Sequence, residues 1–235
     1  MFELEFMLSS VPEIIRYIPI TVLMALVSCA IGCALGILLA LVRFFRIRIA
    51  SQFISLYVSF IRGTPMLVQL YLVYYGLPLL AKNSSELFGI EYNPNAIPKL
   101  VYAFTAFSLN AAAYMSETFR SALESVDKGQ MEACYSVHMT TFQALHRIIL
   151  PQAFVTALPP LGNSLLSLVK DTSLAFSISI VDLMAGAKIV ASRSFRFFEI
   201  YIVVSLIYWI ICFILEQAMA ICERKIKTYD KGKRQ

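Results

Sequence analysis

The chain has 235 residues, of which 59% are hydrophobic and 15% charged, with a formal net charge of +5. Soluble domains are roughly 45–50% apolar and about 25% charged. The balance therefore excludes an ordinary soluble core, gives no reason to expect a nucleic-acid partner, and points to an all-α polytopic membrane protein.

The N-terminal stretch carries Glu3, Glu5 and Glu13 without a basic leader, so it does not read as a cleavable signal. The apolar run that follows, 18–42, contains no charge and exceeds the roughly 20 residues a helix needs to cross a bilayer. Along it Ser28, Gly32, Gly36 and Ala40 recur every four residues, with a GxxxG at Gly32 and Gly36. Small residues at that spacing let two membrane helices approach closely, either within one subunit or at a homodimer seam.

A second span is expected over 60–80, with an apolar lead-in from Phe53. Arg62-Gly63-Thr64-Pro65 stands at its start, where Gly and Pro break a helix. The segment reads either as a broken helix beside a cavity or as a simple helix start with Pro65 in its first turn. The stretch 81–95 contains Asn83, Ser84, Ser85, Asn93 and Pro94 and reads as a polar surface loop.

The third span, 97–118, places Asn110, Tyr114 and Glu117 at i, i+4 and i+7, on one helical face. Asn110 and Tyr114 are candidates for a substrate path. Glu117 either completes that face or sits solvated or salt-bridged at the helix end.

The segment 120–151 is charged and rich in helix formers, so a structured cytoplasmic element of two short helices with a bend is expected. Asp127 is an N-cap candidate, and Pro151 marks the end. His138 and His146 match no metal-binding spacing and read as surface or interface residues.

The fourth span, 158–182, carries Lys170 and Asp171 in its middle, where one charge costs about 2.5–3.5 kcal/mol on insertion scales. Such charges line protein or water. A helical wheel groups Asn163, Ser167, Lys170, Asp171 and Leu174, and Ser164, Thr172 and Ser173 add hydrogen-bonding groups. The stripe reads either as a midplane path for a small zwitterion or as an internal ion pair. Asn163, Ser167, Lys170, Asp171 and Thr172 join Asn110 and Tyr114 as candidate substrate-binding residues. A fifth span is expected over 199–220, which makes five transmembrane helices in a single transmembrane domain, 1–235.

With the N-terminus outside and the C-terminus inside, the inner segments hold twelve Lys and Arg and the outer ones six, leaving Arg62 and Lys170 aside as near or within spans. The positive-inside rule favours that orientation. The cysteines, Cys29, Cys33, Cys134, Cys212 and Cys222, form no CxxC and read as packing residues. A phosphate loop GxxxxGK[ST] and an HExxH are both missing from the sequence, so the chain is expected to be no enzyme.

Within 120–151, Glu132-Ala133-Cys134, three residues, His138, nine residues and Ile148-Ile149-Leu150-Pro151 resemble the EAA loop of ABC importer permeases. Cys134 stands for an Ala of that pattern and His138 for its Gly, a residue that permits a tight bend. Arg62-Gly63-Thr64-Pro65 with Gln69 and Gly76-Leu77-Pro78, then Leu158 to Asn163, then Lys170 to Leu174, resemble the polar amino acid branch, with a general likeness to permeases for cystine or related sulfur amino acids.

The resemblance implies a type I importer permease fold in a bacterial inner membrane, importing a small amino acid by alternating access. It implies a second permease copy, identical or paralogous, a dimer of ATP-binding subunits and an external solute-binding protein. Glu132, Ala133, Cys134 and His138 become the residues coupling to the ATPase. ATP and Mg would be held by that partner, with no cofactor on this chain. The competing reading is an ion-coupled secondary transporter using Lys170 and Asp171.

Overall fold

The computed structural model describes residues 3–88 and 97–233, with side chains described for 3–84 and 97–226. Among these residues the regular structure is helical throughout. Helix α1, Leu4–Ile15, buries Met7, Ser10 and Ile14 on one face. Leu4 and Leu8 stay exposed on the other. It is pinned to the segment before the last helix by Arg193 donating to Glu13 (3.0 Å) and by an Arg196–Glu3 ion pair.

Helix α2, Ile18–Phe44, starts with Pro19, whose fixed φ suits a first turn. Its buried residues include Ser28, Gly32, Gly36 and Ala40. This stripe lies on α5, Lys99–Glu124. A Cβ built on Gly32 would stand 2.5 Å from the Cβ of Ala111, and one on Gly36 2.9 Å from that of Met115. The GxxxG thus forms a seam within the subunit.

The chain then folds through α3, Arg48–Gly63, and α4, Met66–Phe88, which meet at 114°. The expected span 60–80 straddles this elbow. α4 also runs through the first part of the expected polar loop 81–95, whose remainder lies outside the described residues.

α5 covers the expected span 97–118 from its third residue on and is wrapped by α2, α3, α4 and α8. That enclosure explains its alanines and polar residues: a helix surrounded by helices needs small side chains more than a continuous apolar surface. The segment after it folds into α6, Lys128–Ser136, and α7, Thr141–Ala144. A π-turn over Leu145–Ile149 then leads into α8, Leu150–Asp171.

Pro151 therefore opens a helix and does not end the structured loop, because its missing N–H falls in the first turn, where no helical partner is needed. α8 starts well before the expected span 158–182. It passes into a 3₁₀ turn at Thr172–Ile178, ahead of α9, Leu183–Ser194. α10, Phe197–Lys233, contains the expected fifth span 199–220.

By length and composition, α2 and residues 197–226 of α10 are each able to cross a membrane. The α3–α4 pair and the stretch from 141 through α9, bent by 55°, make two further broken apolar pairs. The α9 end is locked by Thr21, which accepts from the Leu183 N–H at 3.0 Å, and by fully buried Asp182, whose side chain caps α9 at the Ala185 N–H (2.9 Å).

Candidate functional site

The elbow between α3 and α4 is built around a missing donor. In a continuous helix the N–H of residue 65 would bond the carbonyl of Ile61, but Pro65 has none. The Gln69 side chain fills the gap: its Nε2 donates to Ile61 O at 2.7 Å, and to Thr64 O and Thr64 Oγ1 at 2.9 Å each. Thr64 in turn donates its hydroxyl to Phe60 O at 2.9 Å. The other end of the Gln69 amide accepts from Asn110 Nδ2 at 2.9 Å, which ties the elbow to the middle of α5. Gln69 is only 4% exposed, and its bonds to Ile61 O and Asn110 are buried, while Thr64 faces the cavity. The elbow is thus a broken helix beside a cavity.

That cavity has a volume of about 520 Å³ and opens between the elbow, α5 and α8. The elbow lends it Thr64, Pro65 and Met66; α5 lends Asn110, Ala111 and Tyr114; α8 lends Asn163, Ser164, Ser167, Leu168 and Asp171. The α8 contribution follows the helical repeat, since Asn163, Ser167 and Asp171 are four residues apart. The Tyr114 ring is covered by the Arg62 guanidinium at 5.6 Å, a cation–π contact at the rim. Asp171 is the single carboxylate among the lining residues.

Five of the seven sequence candidates, Asn110, Tyr114, Asn163, Ser167 and Asp171, therefore meet at one cavity. Two do not. Lys170 lines a separate pocket of about 320 Å³ with Ser173, Met184, Tyr201, Val204, Ser205 and Tyr208. Neighbours on a helix are turned by about 100°, so grouping Lys170 with Asp171 on one face spread the wheel too wide. Thr172 is fully buried, and its hydroxyl donates to Val169 O at 2.7 Å, closing the end of α8. Gln69 and Thr64 belong to the site and were not nominated; the signal was Pro65, whose missing N–H demands a donor from elsewhere.

Glu117 sits one turn past Tyr114 and takes no part in the cavity lining. It pairs with Arg43 from α2 and with Arg120 at 2.8 Å, and Arg120 reaches on to Glu124 at 2.7 Å. This network ties the ends of α2 and α5 together where α6 begins.

At α6, Asp127 accepts from the Gly129 N–H at 2.7 Å, the expected N-cap. Glu132 and Ala133 are exposed and Cys134 is buried. His138 adopts φ 60°, in the left-handed region. Its N–H bonds Tyr135 O at 3.0 Å while the Met139 N–H bonds Cys134 O at 3.0 Å, the paired bonds of a Schellman motif. The bend expected of Gly is thus made by His138. α7 starts from a capping box of Thr140 and Gln143.

Residues 32–228 match the family described as binding-protein-dependent transport system inner membrane component. The chain is 43% identical over 220 residues to the probable amino-acid permease protein YxeN of Bacillus subtilis (strain 168), covering 94% of each chain. It is 38% identical over 226 residues to the L-cystine transport system permease protein TcyL of the same organism, covering 96% of this chain and 92% of TcyL. In fold it is similar to a chain from the crystal structure of an amino acid ABC transporter with histidines. The TM-score is 0.81 at 31% identity, over 96% of this chain and 99% of that one. Elbow, cavity and helical loop thus sit on a fold shared along nearly the whole length, and the chain belongs to the binding-protein-dependent inner membrane components as a membrane-spanning permease subunit of an ABC transporter.

Proposed function

We propose that this permease carries an L-amino acid, that the cavity between the elbow, α5 and α8 is where the substrate rests in transit, and that exposed Glu132, Ala133 and His138, with Cys134 anchoring them, dock on the ATPase. The observation that carries the reading is the convergence of Asn110, Tyr114, Asn163, Ser167 and Asp171 on one polar cavity beside irregular backbone. The names of the relatives support the amino acid class, cystine among them.

The chain works with a second permease copy, two ATPase subunits that hold ATP and Mg, and an external binding protein. Its N-terminus lies outside and its C-terminus in the cytoplasm of a bacterial inner membrane. Closure of the ATPase dimer moves α6 and α7, and the Arg43–Glu117–Arg120 network passes that motion to α2 and α5 together. The cavity then changes the side on which it opens. The permease supplies differential contacts and no bond-making, and Lys170 and Asp171 line different pockets.

The test is ATP hydrolysis and uptake by the complex reconstituted in lipid with its ATPase and binding protein, across a panel of L-amino acids including L-cystine. Stimulation by one amino acid, weakened about tenfold in apparent affinity by Asp171→Asn, is the expected result. Stimulation by none, from a complex with basal hydrolysis, would remove the amino acid reading and leave the family unaffected.

A further inference from the structure

We infer that Gln69 is a positioning residue that fixes the polarity of the cavity: by holding Asn110 through its Nδ2, it turns Asn110 Oδ1 toward the cavity and makes the Asn110–Asp171 wall a receptor for a substrate ammonium group. The inference rests on the cavity being the substrate site.

The orientation of both amides follows from chemistry. Ile61 O and Thr64 O are carbonyl oxygens and only accept, so the end of Gln69 that lies 2.7 and 2.9 Å from them is its NH₂. Its Oε1 therefore faces α5 and needs a donor, and Asn110 supplies one from Nδ2 at 2.9 Å. The amide oxygen of Asn110 is thereby the end left for the cavity that this residue lines. The requirement propagates in one direction: a proline without an N–H orients a glutamine, the glutamine orients an asparagine, and the asparagine presents an acceptor.

Asp171 across the same cavity also only accepts when ionised, and the pocket of Lys170 lies elsewhere. Arg62, beside the cavity, is engaged over the Tyr114 ring. An acceptor amide facing a carboxylate suits a group with several N–H donors and a positive charge, and the one that every amino acid of the panel carries is its α-ammonium. The hydroxyl of Ser167 and the Asn163 amide, which line the same cavity, remain for the carboxylate end.

The variants separate holding the elbow from orienting Asn110. Gln69→Leu removes both roles. Gln69→Glu, protonated in its buried setting, still accepts from Asn110. Asn110→Asp offers oxygen to the cavity whichever way it turns. The measurement is equilibrium binding of L-arginine, L-glutamine and L-cystine to the permease–ATPase complex in nanodiscs without binding protein, using the tightest of the three.

Gln69→Leu is expected to weaken binding about tenfold, Gln69→Glu to stay within about twofold, and Gln69→Leu with Asn110→Asp to recover most of the loss. Equal losses in both Gln69 variants without recovery would overturn the inference in favour of elbow-holding alone. If Gln69→Leu does not assemble, Asn110→Ala decides, since Gln69 keeps its donors to the elbow: a loss of about tenfold supports an acceptor role for Asn110, and binding kept within about twofold refutes it. Asp171→Asn tells the two levels apart. Binding unchanged by Asp171→Asn, or no binding of any of the three, removes the cavity reading itself; binding weakened by it, with no rescue of Gln69→Leu, removes the inference only.

Discussion

The seam of α2 on α5 is a close approach whose disturbance can be calculated. A methyl added at Gly32 would lie 2.5 Å from the Ala111 Cβ, with the Ala112 N and Ala111 C at 3.2 and 3.3 Å. Carbon atoms rest comfortably at about 3.5–4.0 Å, so Gly32→Ala asks α2 and α5 to part by about 1 Å or more. Overpacking of this kind costs about 1–3 kcal/mol, and so short a contact belongs at the upper end. Against it stands a gain of up to about 1 kcal/mol from replacing glycine inside a helix.

The net expectation is a loss of about 2 kcal/mol, read as a lowered melting temperature of the purified complex. Ala111→Gly on top of Gly32→Ala removes the nearest clashing atom, leaves contacts above 3 Å, and is expected to restore more than half of the loss. Gly76→Ala is the control: nothing lies within 4 Å of its Cβ, so it should be neutral or slightly stabilising. A Gly32→Ala protein as stable as the parent, or a double variant whose losses simply add, would refute the seam as the source of the cost. Because Ala111 lines the cavity, substrate binding should weaken in Gly32→Ala and return with Ala111→Gly.

Further outcomes are expected at the two ends of the bundle. His138→Gly should raise stability by up to about 1 kcal/mol, since glycine adopts φ 60° without strain, while His138→Val should lose about 1–2 kcal/mol; a melting curve unmoved by either would contradict the Schellman assignment. At the opposite end, the hydrogen bond from Arg196 holds the Glu3 carboxyl below its ordinary value of 4.5. A depressed folded value means that the attachment of α1 is at full strength above 4.5 and is lost as pH falls through the lower folded value. A spin label at exposed Leu8→Cys should gain mobility only in acid, whereas with Glu3→Gln it should be mobile at every pH; a label whose mobility ignores both changes would remove the pair as the tether.

Much of the site could be read from one helix at a time. Asn163, Ser167 and Asp171 share a helical face by arithmetic, and so do Asn110 and Tyr114; the sequence brings each set to one side without knowing that the sides meet. Lys170 falls outside the cavity because a wheel tolerates neighbours that a real cavity separates, and Thr172 because a hydroxyl in a span has a local alternative, the carbonyl three residues back. The Gln69–Asn110 bond spans 41 residues and has no local periodicity to announce it. The elbow was legible as a break at Gly63 and Pro65, but its angle is set by the packing of α3 and α4 on α5. Helix α1 escaped notice because its apolar face is short and its anchors, Arg193 and Arg196, lie at the far end of the chain.

The enclosure of α5 has a mechanical consequence. Along one rod lie the bond to the elbow at Asn110, the cavity wall at Tyr114, the seam with α2 at Ala111 and Met115, and the charged clasp at Glu117 and Arg120. Side-chain tips stand about 5–6 Å from a helix axis, so twisting the rod by about 20° sweeps them through about 2 Å. That is enough to part the 2.9 Å bond between Asn110 and Gln69. α5 is in this sense a camshaft: a torque applied at its charged end would be delivered, two to three turns away, as a change in which groups the cavity can offer.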